Sequence, residues 1–406
     1  MKRTPTLPPR ILFCSDTFPP QVNGVSVVTA LSVNGLAERG WECAVVAPRY
    51  PHIARDAFAN DAAYAAAARG ASIGSVPLPG YPDIRLTMPG HPAIARCIDR
   101  FRPDVVHAAT EFSIGWTGLR AARQRGIPVT TSYHTDFARY TDAYGVPALR
   151  RLVTRHVAAF HRQAACTFTP SEPARRDLEA IGVAAETWGR GVDTDLFHPR
   201  HRSVILRDAY VRPDACLLLH VGRLAAEKGV ERIVEAYDRA RQLLPEGAVH
   251  LVIAGAGPRE PHLRAMGTRH ITFLANLDRQ TVLPRLYASA DAFVFSSLTE
   301  TLGLVVLEAM ASGLPVLATP AGGVADHLRD GINGLAYPAN DVDALARHMV
   351  TIALDTNHRK QLAAGARATA ERLTWSAELD RLDARYRTIL AGHARATSGR
   401  EAPVAA

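Results

Sequence analysis

The sequence predicts an α/β protein with two doubly wound domains, each built around a parallel sheet. Short apolar runs alternate with helical patterns along most of the chain, and this alternation is typical of βαβ units. The series occurs twice, and a polar segment that contains Pro199 separates the two halves. A length of 406 residues is also too great for one hydrophobic core, so we expect two domains.

The first series of strands begins near the start of the chain. Each strand is a short apolar or β-branched run, as expected for a strand that is buried on both faces of a parallel sheet. The predicted strands are residues 11–14, 43–47, 105–107, 129–132 and 166–169, and the first predicted helix is 25–36. We assign these elements to a first domain of residues 1–195.

The second series of strands has the same character. Its predicted strands are residues 217–221, 249–254, 271–273, 292–295 and 315–318. We assign residues 196–375 to a second domain. A final helix is expected over residues 376–393, and residues 394–406 are expected to form a disordered tail.

Composition excludes several classes of protein. Hydrophobic residues make up 47% of the chain and charged residues 21%, which is ordinary for a soluble globular protein. No apolar run approaches the length of a membrane span, and the start of the chain leads into a strand rather than a secretory signal. The five cysteines are scattered without metal-ligand spacing, so we expect buried thiols in a cytoplasmic protein.

Most of the net charge of +8 lies in the first 200 residues, which contain 23 Lys and Arg and 17 Asp and Glu. Residues 150–162 have the pattern of a basic amphipathic helix. Such a helix can lie on an anionic membrane surface, which would place the protein peripherally on the cytoplasmic membrane face, or it can present an ordinary solvated face. Nucleic acid is not an expected partner, because aromatic residues are only 7% of the chain and no binding module is recognisable.

The most informative segment carries two carboxylates, Glu300 and Glu308, across a strand-to-helix junction. The strand 292–295 precedes it, and apolar residues at helical spacing begin at Leu304. Glu300 therefore lies in a loop at the carboxyl end of a strand, where open α/β sheets bind ligands. Glu308 lies on the helix among apolar neighbours, where a carboxylate is costly unless something pairs with it.

The start of the same helix is a possible anion site. Backbone N–H groups around Leu302, Gly303 and Leu304 point out of the helix, where they can bind phosphate. Carboxylates accept hydrogen bonds from sugar and ribose hydroxyls, so the combination indicates a nucleotide diphosphate sugar. The same spacing of two glutamates on a charged helix usually marks a solvated face. Here the apolar strand before it and Gly313 after it favour the functional interpretation.

Glu300 and Glu308, followed by the run 313–316, resemble the signature of the retaining GT-B glycosyltransferases of family 4. The resemblance spans nearly the whole chain and is strongest over residues 217–337. It implies two Rossmann-like domains that face each other across a cleft, with the acceptor on the first domain and the nucleotide sugar on the second. It also implies that the final helix returns to brace the first domain.

A second group of residues follows the first strand of the second half, at the usual phosphate-binding position of such a domain. The group contains Gly222, Arg223 and Lys228. Only three of the 47 Lys and Arg residues are lysines, so a lysine here suggests a need for a compact, mobile charge. The resemblance implies that Arg223 and Lys228 neutralise the donor diphosphate. Taken alone, the pair would be an ordinary exposed loop.

Two positions in the first domain complete the predicted site. Gly24 lies at the start of the first helix and permits close approach of the backbone to a ligand. His134 follows the strand 129–132 and matches the histidine that the family places in the cleft against the donor sugar. A lone histidine is more often structural, so this role depends on the resemblance.

Neither a metal site nor a cofactor is expected. Asp193 and Asp195 have the D-x-D spacing that holds a divalent metal in the other glycosyltransferase fold, but they lie in the predicted linker and are expected to cap a turn. Gly255 and Gly257 lack the third glycine of a dinucleotide fingerprint, so a dehydrogenase is not indicated.

The resemblance implies a hexosyltransferase most similar to GDP-mannose-dependent α-mannosyltransferases that act on lipid or glycan acceptors. Arg223 and Lys228 would stabilise the leaving diphosphate, Glu308 would bind the ribose, and Glu300 the donor sugar. The segment 274–277 departs from the family pattern, which leaves the nucleobase open. Alternatives are a UDP-sugar-dependent glycolipid synthase, a GT-B nucleotide-sugar epimerase or hydrolase that turns over without acceptor, and a non-catalytic binding module.

Overall fold

The computed structural model describes residues 7–21, 23–50, 62–78, 81–143, 145–266 and 269–398. The strands of the first half are β1 (Arg10–Cys14), β2 (Glu42–Pro48), β3 (Ala71–Ile73), β4 (Ser75–Leu78), β5 (Tyr81–Thr87), β6 (Val105–Ala108), β7 (Val129–Ser132), β8 (Cys166–Thr169) and β9 (Glu186–Thr187). Seven of these form a parallel sheet in the order β3-β2-β1-β6-β7-β8-β9, and β4 pairs with β5 as an antiparallel hairpin.

The strands of the second half are β10 (Cys216–Val221), β11 (Val249–Ala254), β12 (Ile271–Leu274), β13 (Ala292–Phe295), β14 (Val316–Ala318) and β15 (Gly334–Ala336). They form a second parallel sheet in the order β12-β11-β10-β13-β14-β15. The strand order reverses between β10 and β13, and ligands bind at such switch points. The loops that follow these two strands carry Lys228 and Glu300, so the topology brings the two residues to the same edge of the sheet.

Helices cover both sheets. They are α1 (Gly24–Glu38), α2 (Ala62–Arg69), α3 (Pro92–Phe101), α4 (Ser113–Arg123), α5 (Phe137–Ala143), α6 (Arg150–His161), α7 (Glu172–Ala180), α8 (Val204–Asp208), α9 (Val230–Gln242), α10 (Glu260–Ala265), α11 (Leu283–Ser289), α12 (Leu304–Ala311), α13 (Val324–His327), α14 (Val342–Leu354), α15 (Thr356–Glu371) and α16 (Trp375–Ser398). Short 3₁₀ turns occur at Pro147–Leu149, Pro199–His201 and Ala226–Lys228.

Every strand predicted from an apolar run is present in the structure. The strands that the sequence did not reveal are β3, β9 and β15, which are three of the four edge strands, and the hairpin of β4 and β5. These three edge strands are two or three residues long. Such a segment is too short to show the alternation or the sustained apolar run by which a strand is recognised.

Helix α16 runs back onto the first sheet. The Tyr386 hydroxyl lies 2.9 Å from Nδ1 of His107, which is on β6. The Trp41 indole N–H donates to Asp383 at 2.6 Å, and the Glu378 carboxylate accepts the backbone N–H of Gly189 at 2.9 Å. The end of the chain is therefore part of the first domain's core.

The end of this helix corrects the predicted tail. Residues 394–398 were expected to be disordered, but they continue α16, and residues 399–406 lie outside the described residues. The helix continues because 391–398 contain no proline and no helix-stopping signal stronger than one glycine.

The buried cysteines agree with the expectation from composition. All five lie within described segments, all are buried, and none is in a disulfide. Across the part of the chain that the structure describes, every helix is too short or too polar to cross a bilayer.

Candidate active site

The two sheets approach each other at the loops that follow their strands. The Thr301 hydroxyl, in the loop after β13, donates to the backbone carbonyl of His134, in the loop after β7. Leu304, at the start of α12, packs against a core cluster of the first domain that includes Phe18 and Val28. These contacts place the start of α12 in the cleft between the domains.

Lys228 and Glu300 form an ion pair in this cleft. The ammonium group of Lys228 contacts Oε1 of Glu300, and each side chain is 16% exposed. The Ser296 hydroxyl donates to the Lys228 backbone carbonyl at 2.8 Å, which holds the backbone of the lysine in place. The pair is accessible enough to meet a ligand and sheltered enough for its charges to interact strongly.

The loop that carries Glu300 is held by the segment after β14. The backbone N–H of Gly323 donates to the Glu300 carbonyl at 2.7 Å. Gly303 then ends the loop with φ of 75°, a left-handed conformation that a residue with a side chain rarely adopts, and α12 begins at the next residue. Leu302 is buried beside this turn. The backbone N–H groups that open α12 therefore lie at the cleft.

Arg223 pairs with a carboxylate other than Glu300. Its guanidinium contacts the carboxylate of Glu227, which is fully buried at the side chain, while the arginine is 36% exposed. Its neighbour Gly222 lies close against the next loop, since a Cβ at Gly255 would stand 1.9 Å from the Gly222 carbonyl oxygen. The glycine at 255 is therefore needed for close packing of the backbone, and its presence does not require a bound dinucleotide.

Glu308 is buried inside the second domain, where it has a partner that the sequence did not identify. Nε and Nη2 of Arg279 donate to its Oε1 at 3.1 and 2.7 Å, and the Tyr287 hydroxyl donates to Oε2 at 3.3 Å. Burial raises the pKa of the Glu308 carboxyl, and Arg279 and Tyr287 oppose that effect. Arg279 follows β12, at the same sheet edge as the predicted phosphate loops, and that position was a usable signal.

His134 contributes its backbone carbonyl to the interdomain contact with Thr301. Burial lowers the pKa of the His134 imidazole to about 4, with a smaller contribution from His161. The ring is therefore neutral near pH 7. A neutral imidazole can donate from one nitrogen and accept at the other, which suits contact with a hydroxyl.

Gly24 is the first residue of α1 and is exposed. Asn23 caps the helix by accepting from the backbone N–H of Ser26 at 2.9 Å. The Asn23 amide also donates to the Thr17 hydroxyl at 2.8 Å, and that hydroxyl donates to Gln21 at 2.8 Å. A Cβ at Gly24 would meet nothing within 4 Å, so this helix start faces open space.

Asp193 caps a turn, as predicted. Its Oδ1 accepts the backbone N–H groups of Asp195 and Leu196 at 3.1 and 2.9 Å. The Asp195 side chain is 89% exposed. In the described segments no group of three or more His, Cys, Asp or Glu side chains is placed to hold a metal ion.

The predicted residues thus divide into three groups. The structure brings Lys228, Glu300 and the start of α12 together, next to the His134 loop. Arg223 lies on the same loop as Lys228 but contacts Glu227. Glu308 lies further inside with Arg279, and no contact joins it to Glu300 among the hydrogen bonds of the described residues.

Two family models match the chain, one for each half. The model described as Glycosyltransferase Family 4 matches residues 22–196, and the model described as Glycosyl transferases group 1 matches residues 215–355. The matched ranges contain most of the first and second sheets respectively.

Known proteins resemble the chain over most of its length. The GDP-mannose-dependent alpha-mannosyltransferase of Mycobacterium tuberculosis is 33% identical over 94% of this chain and 97% of its own. The sulfoquinovosyl transferase of Arabidopsis thaliana is 33% identical over 75% of this chain and 60% of its own. The structure of HepE from Anabaena in complex with UDP has a TM-score of 0.72 at 18% identity, covering 93% of this chain and 99% of that one. At that identity the likeness shows the fold alone.

Proposed function

The chain belongs to glycosyltransferase family 4 and has the GT-B fold, and from this premise we propose that it transfers mannose from GDP-mannose to a lipid or glycan acceptor. A relative that matches over 94% of this chain and 97% of its own length is a GDP-mannose-dependent enzyme, which supports this donor. We propose further that the sugar keeps its anomeric configuration, as the family resemblance implies.

One observation supports the proposal most strongly. The Lys228–Glu300 pair lies beside the start of α12 and below the His134 loop, so a cation, a carboxylate and helix amides meet at one point of the cleft. A nucleotide diphosphate sugar needs that combination, because its phosphates require positive charge and its sugar hydroxyls require acceptors.

The proposed mechanism follows from these positions. Lys228 and the amides at Gly303 stabilise the negative charge that develops on the diphosphate as the bond to the sugar breaks. Glu300 exchanges its contact with Lys228 for hydroxyls of the donor sugar. The neutral ring of His134 contacts the sugar from the first domain, and a phosphate oxygen of the donor takes the proton of the acceptor.

A panel of sugar nucleotides tests the donor. We expect GDP-mannose and GDP to raise the melting temperature more than UDP-glucose and UDP, since ligand at 100 times its dissociation constant stabilises by about 2.7 kcal/mol. Incubation of GDP-mannose without acceptor should release little free mannose. A larger shift with UDP-sugars would instead support the UDP-dependent synthase, and rapid turnover without acceptor would support a hydrolase or epimerase.

We also propose that an anionic membrane holds the acceptor. Val146, Leu149, Arg151, Leu152 and Arg155 form an exposed surface, here called the basic apolar face, around the start of α6. Leu152 is 65% exposed and Leu149 is 49% exposed. Residues 143–171 contain no Asp or Glu, so this face has no carboxylate of its own segment to neutralise its arginines.

The basic apolar face is close to the cleft along the chain. Helix α5 has seven residues and joins the His134 loop to it, and α5 also contacts the 3₁₀ turn that ends at Lys228. Exposed leucines among arginines suit the interface of an anionic bilayer, where each basic residue contributes about 1 kcal/mol. A lipid acceptor in such a bilayer would present its head group near the sugar.

Vesicle binding tests this second proposal. Leu149→Glu combined with Leu152→Glu should abolish sedimentation with phosphatidylglycerol vesicles while leaving GDP affinity unchanged. The matched control is Leu243→Glu with Leu354→Glu, since these leucines are 68% and 63% exposed elsewhere. Equal binding to neutral phosphatidylcholine vesicles, or equal loss in the control, would refute the membrane assignment.

A further inference from the structure

Arg279 is the charged partner of the buried carboxylate of Glu308. Two of its nitrogens donate to Oε1, at 3.1 and 2.7 Å, so the guanidinium meets one oxygen only. The Tyr287 hydroxyl reaches Oε2 at 3.3 Å, which is longer than an ordinary O–H···O hydrogen bond. The carboxylate therefore keeps acceptor capacity on Oε2.

A carboxylate in this position would ordinarily become neutral. The Glu308 side chain is only 3% exposed, and burial disfavours its charged form. A neutral carboxyl has an O–H donor in place of one acceptor, and ribose hydroxyls need acceptors to donate to. Something must therefore keep Glu308 ionised if it is to bind a nucleoside.

We propose that Arg279 is a positioning residue for nucleotide binding, which keeps Glu308 ionised and leaves its Oε2 oxygen able to accept a hydrogen bond from the ribose. This inference rests on the proposed function, in which Glu308 binds the nucleotide. Arg279 acts through Glu308 rather than through the sugar, so its removal should affect affinity for the nucleotide and not the chemical step.

Arg279 is itself held in place from behind. Its guanidinium carbon lies 5.0 Å from the centroid of the Phe197 ring, within the range of a cation–π contact. Phe197 is fully buried in the segment that connects the two sheets. A planar guanidinium that is stacked on one face and bonded along one edge is fixed in orientation, and a lysine could not reproduce both contacts.

The other charged groups near α12 are occupied elsewhere. Helix α15 presents Arg367, which donates to the carbonyls of Thr194, Phe197 and Ala311. Asp278, next to Arg279, accepts from the backbone N–H groups of Gln280 and Thr281. Helix α11 contributes Tyr287 to Glu308. Among the described ion pairs, Arg279 is the cation that faces the Glu308 carboxylate.

The test is the affinity for GDP, measured by calorimetry at pH 6 and pH 8, in Arg279→Gln and in the control Arg285→Gln. Arg285 is exposed on α11. The terminal phosphate of GDP also titrates in this range, but its effect is common to all variants and cancels in the ratio to the control. We expect Arg279→Gln to lose about tenfold in GDP affinity at pH 8 and a larger factor at pH 6, because the Glu308 carboxyl takes up a proton more readily once the guanidinium is gone.

Three further variants complete the test. Glu308→Gln alone, and combined with Arg279→Gln, should bind GDP weakly and show no pH-dependent loss beyond the control. Arg279→Lys keeps the charge, so it should lose affinity without the extra loss at pH 6, and it decides the question if Arg279→Gln does not fold. The inference would be overturned if Arg279→Gln lost the same factor in GDP affinity at pH 6 and pH 8. It would also be overturned if Arg279→Lys showed the same pH-dependent loss of affinity as Arg279→Gln. GDP affinity unchanged in Glu308→Gln would instead overturn the nucleotide assignment of Glu308 itself.

Discussion

The ammonium group of Lys228 contacts the carboxylate of Glu300, although 72 residues separate them along the chain. The contact exists because β10 and β13 are neighbours in the second sheet and both residues follow these strands at the same edge. The two groups thereby neutralise each other's charge. The phosphates of a nucleotide sugar can replace Glu300 as the partner of Lys228, and its sugar hydroxyls can replace Lys228 as the partner of Glu300. The pair is therefore suited to that ligand.

The first prediction concerns the lysine. Lys228→Ala should lower turnover by about two to three orders of magnitude, which is the scale of losing a group that stabilises transition-state charge. Arg223→Ala should have a smaller effect, because its guanidinium is already engaged with buried Glu227. Steady-state kinetics measure both, and Lys360→Ala on the exposed side of α15 is the matched control. Wild-type kinetics in Lys228→Ala would contradict the phosphate role.

The second prediction separates Glu300 from the nucleotide. Glu300→Gln should leave the affinity for GDP within about threefold of wild type, yet lower turnover of the intact donor by about a hundredfold, the scale of losing an interaction made only in the transition state. Calorimetry with GDP and kinetics with GDP-mannose distinguish the two effects. Exposed Glu246→Gln is the control. A parallel loss in both measurements would place Glu300 on the nucleotide rather than on the sugar.

The third prediction is that transfer needs no divalent metal and retains the donor configuration. Lys228 and the amides that open α12 supply positive charge where Mg²⁺ or Mn²⁺ would otherwise act. Activity should therefore survive excess EDTA, and NMR of the product should show an α-linkage from an α-linked donor. Loss of activity with EDTA and its recovery with Mn²⁺ would instead assign a metal site to Asp193 and Asp195. A β-linked product would exclude retention.

The fourth prediction concerns the last helix. Tyr386 is fully buried against His107, so Tyr386→Phe should destabilise the protein by about 1 kcal/mol through one lost hydrogen bond. Tyr386→Ala should cost about 3–5 kcal/mol, because it also leaves a cavity. Urea unfolding measures both against Thr388→Ala, which changes an exposed position of the same helix. Equal stability of the Ala variant and the control would mean that α16 does not brace the first domain.

The fifth prediction is loss of stability in mild acid. Burial lowers the pKa of His107 to about 3 and of His134, His220, His250 and His327 to about 4. Between these values and the ordinary pKa of about 6.5, the unfolded chain binds more protons than the folded one, so stability falls as pH decreases. The melting temperature should be constant above about pH 7 and fall steadily from about pH 6.5 toward pH 4. His250→Gln should make this slope shallower, and an unchanged slope would show that His250 is not part of it.

Local patterns in the sequence were enough to predict the architecture. Buried parallel strands such as 11–14 and 292–295 are continuous apolar runs, and helices such as α6 have apolar residues at helical spacing, so both are visible in a window of a few residues. Glu300 and Lys228 were singled out for a similar reason, because their loops follow recognisable strands and strand ends are where α/β sheets bind ligands. Glu308 was singled out as a carboxylate among apolar residues on the helix that follows.

Pairings between distant segments were decided only by the tertiary structure. The contacts of Arg279 with Glu308, Thr301 with the His134 carbonyl, and Tyr386 with His107 join positions 29, 167 and 279 residues apart. A side chain's partner across such a distance depends on which strands lie side by side and on how the two domains pack. Local periodicity predicts neither. The sequence by itself therefore determined most strands of the two parallel sheets and the sheet edge at which the candidate residues lie, while packing decided which charged group pairs with which.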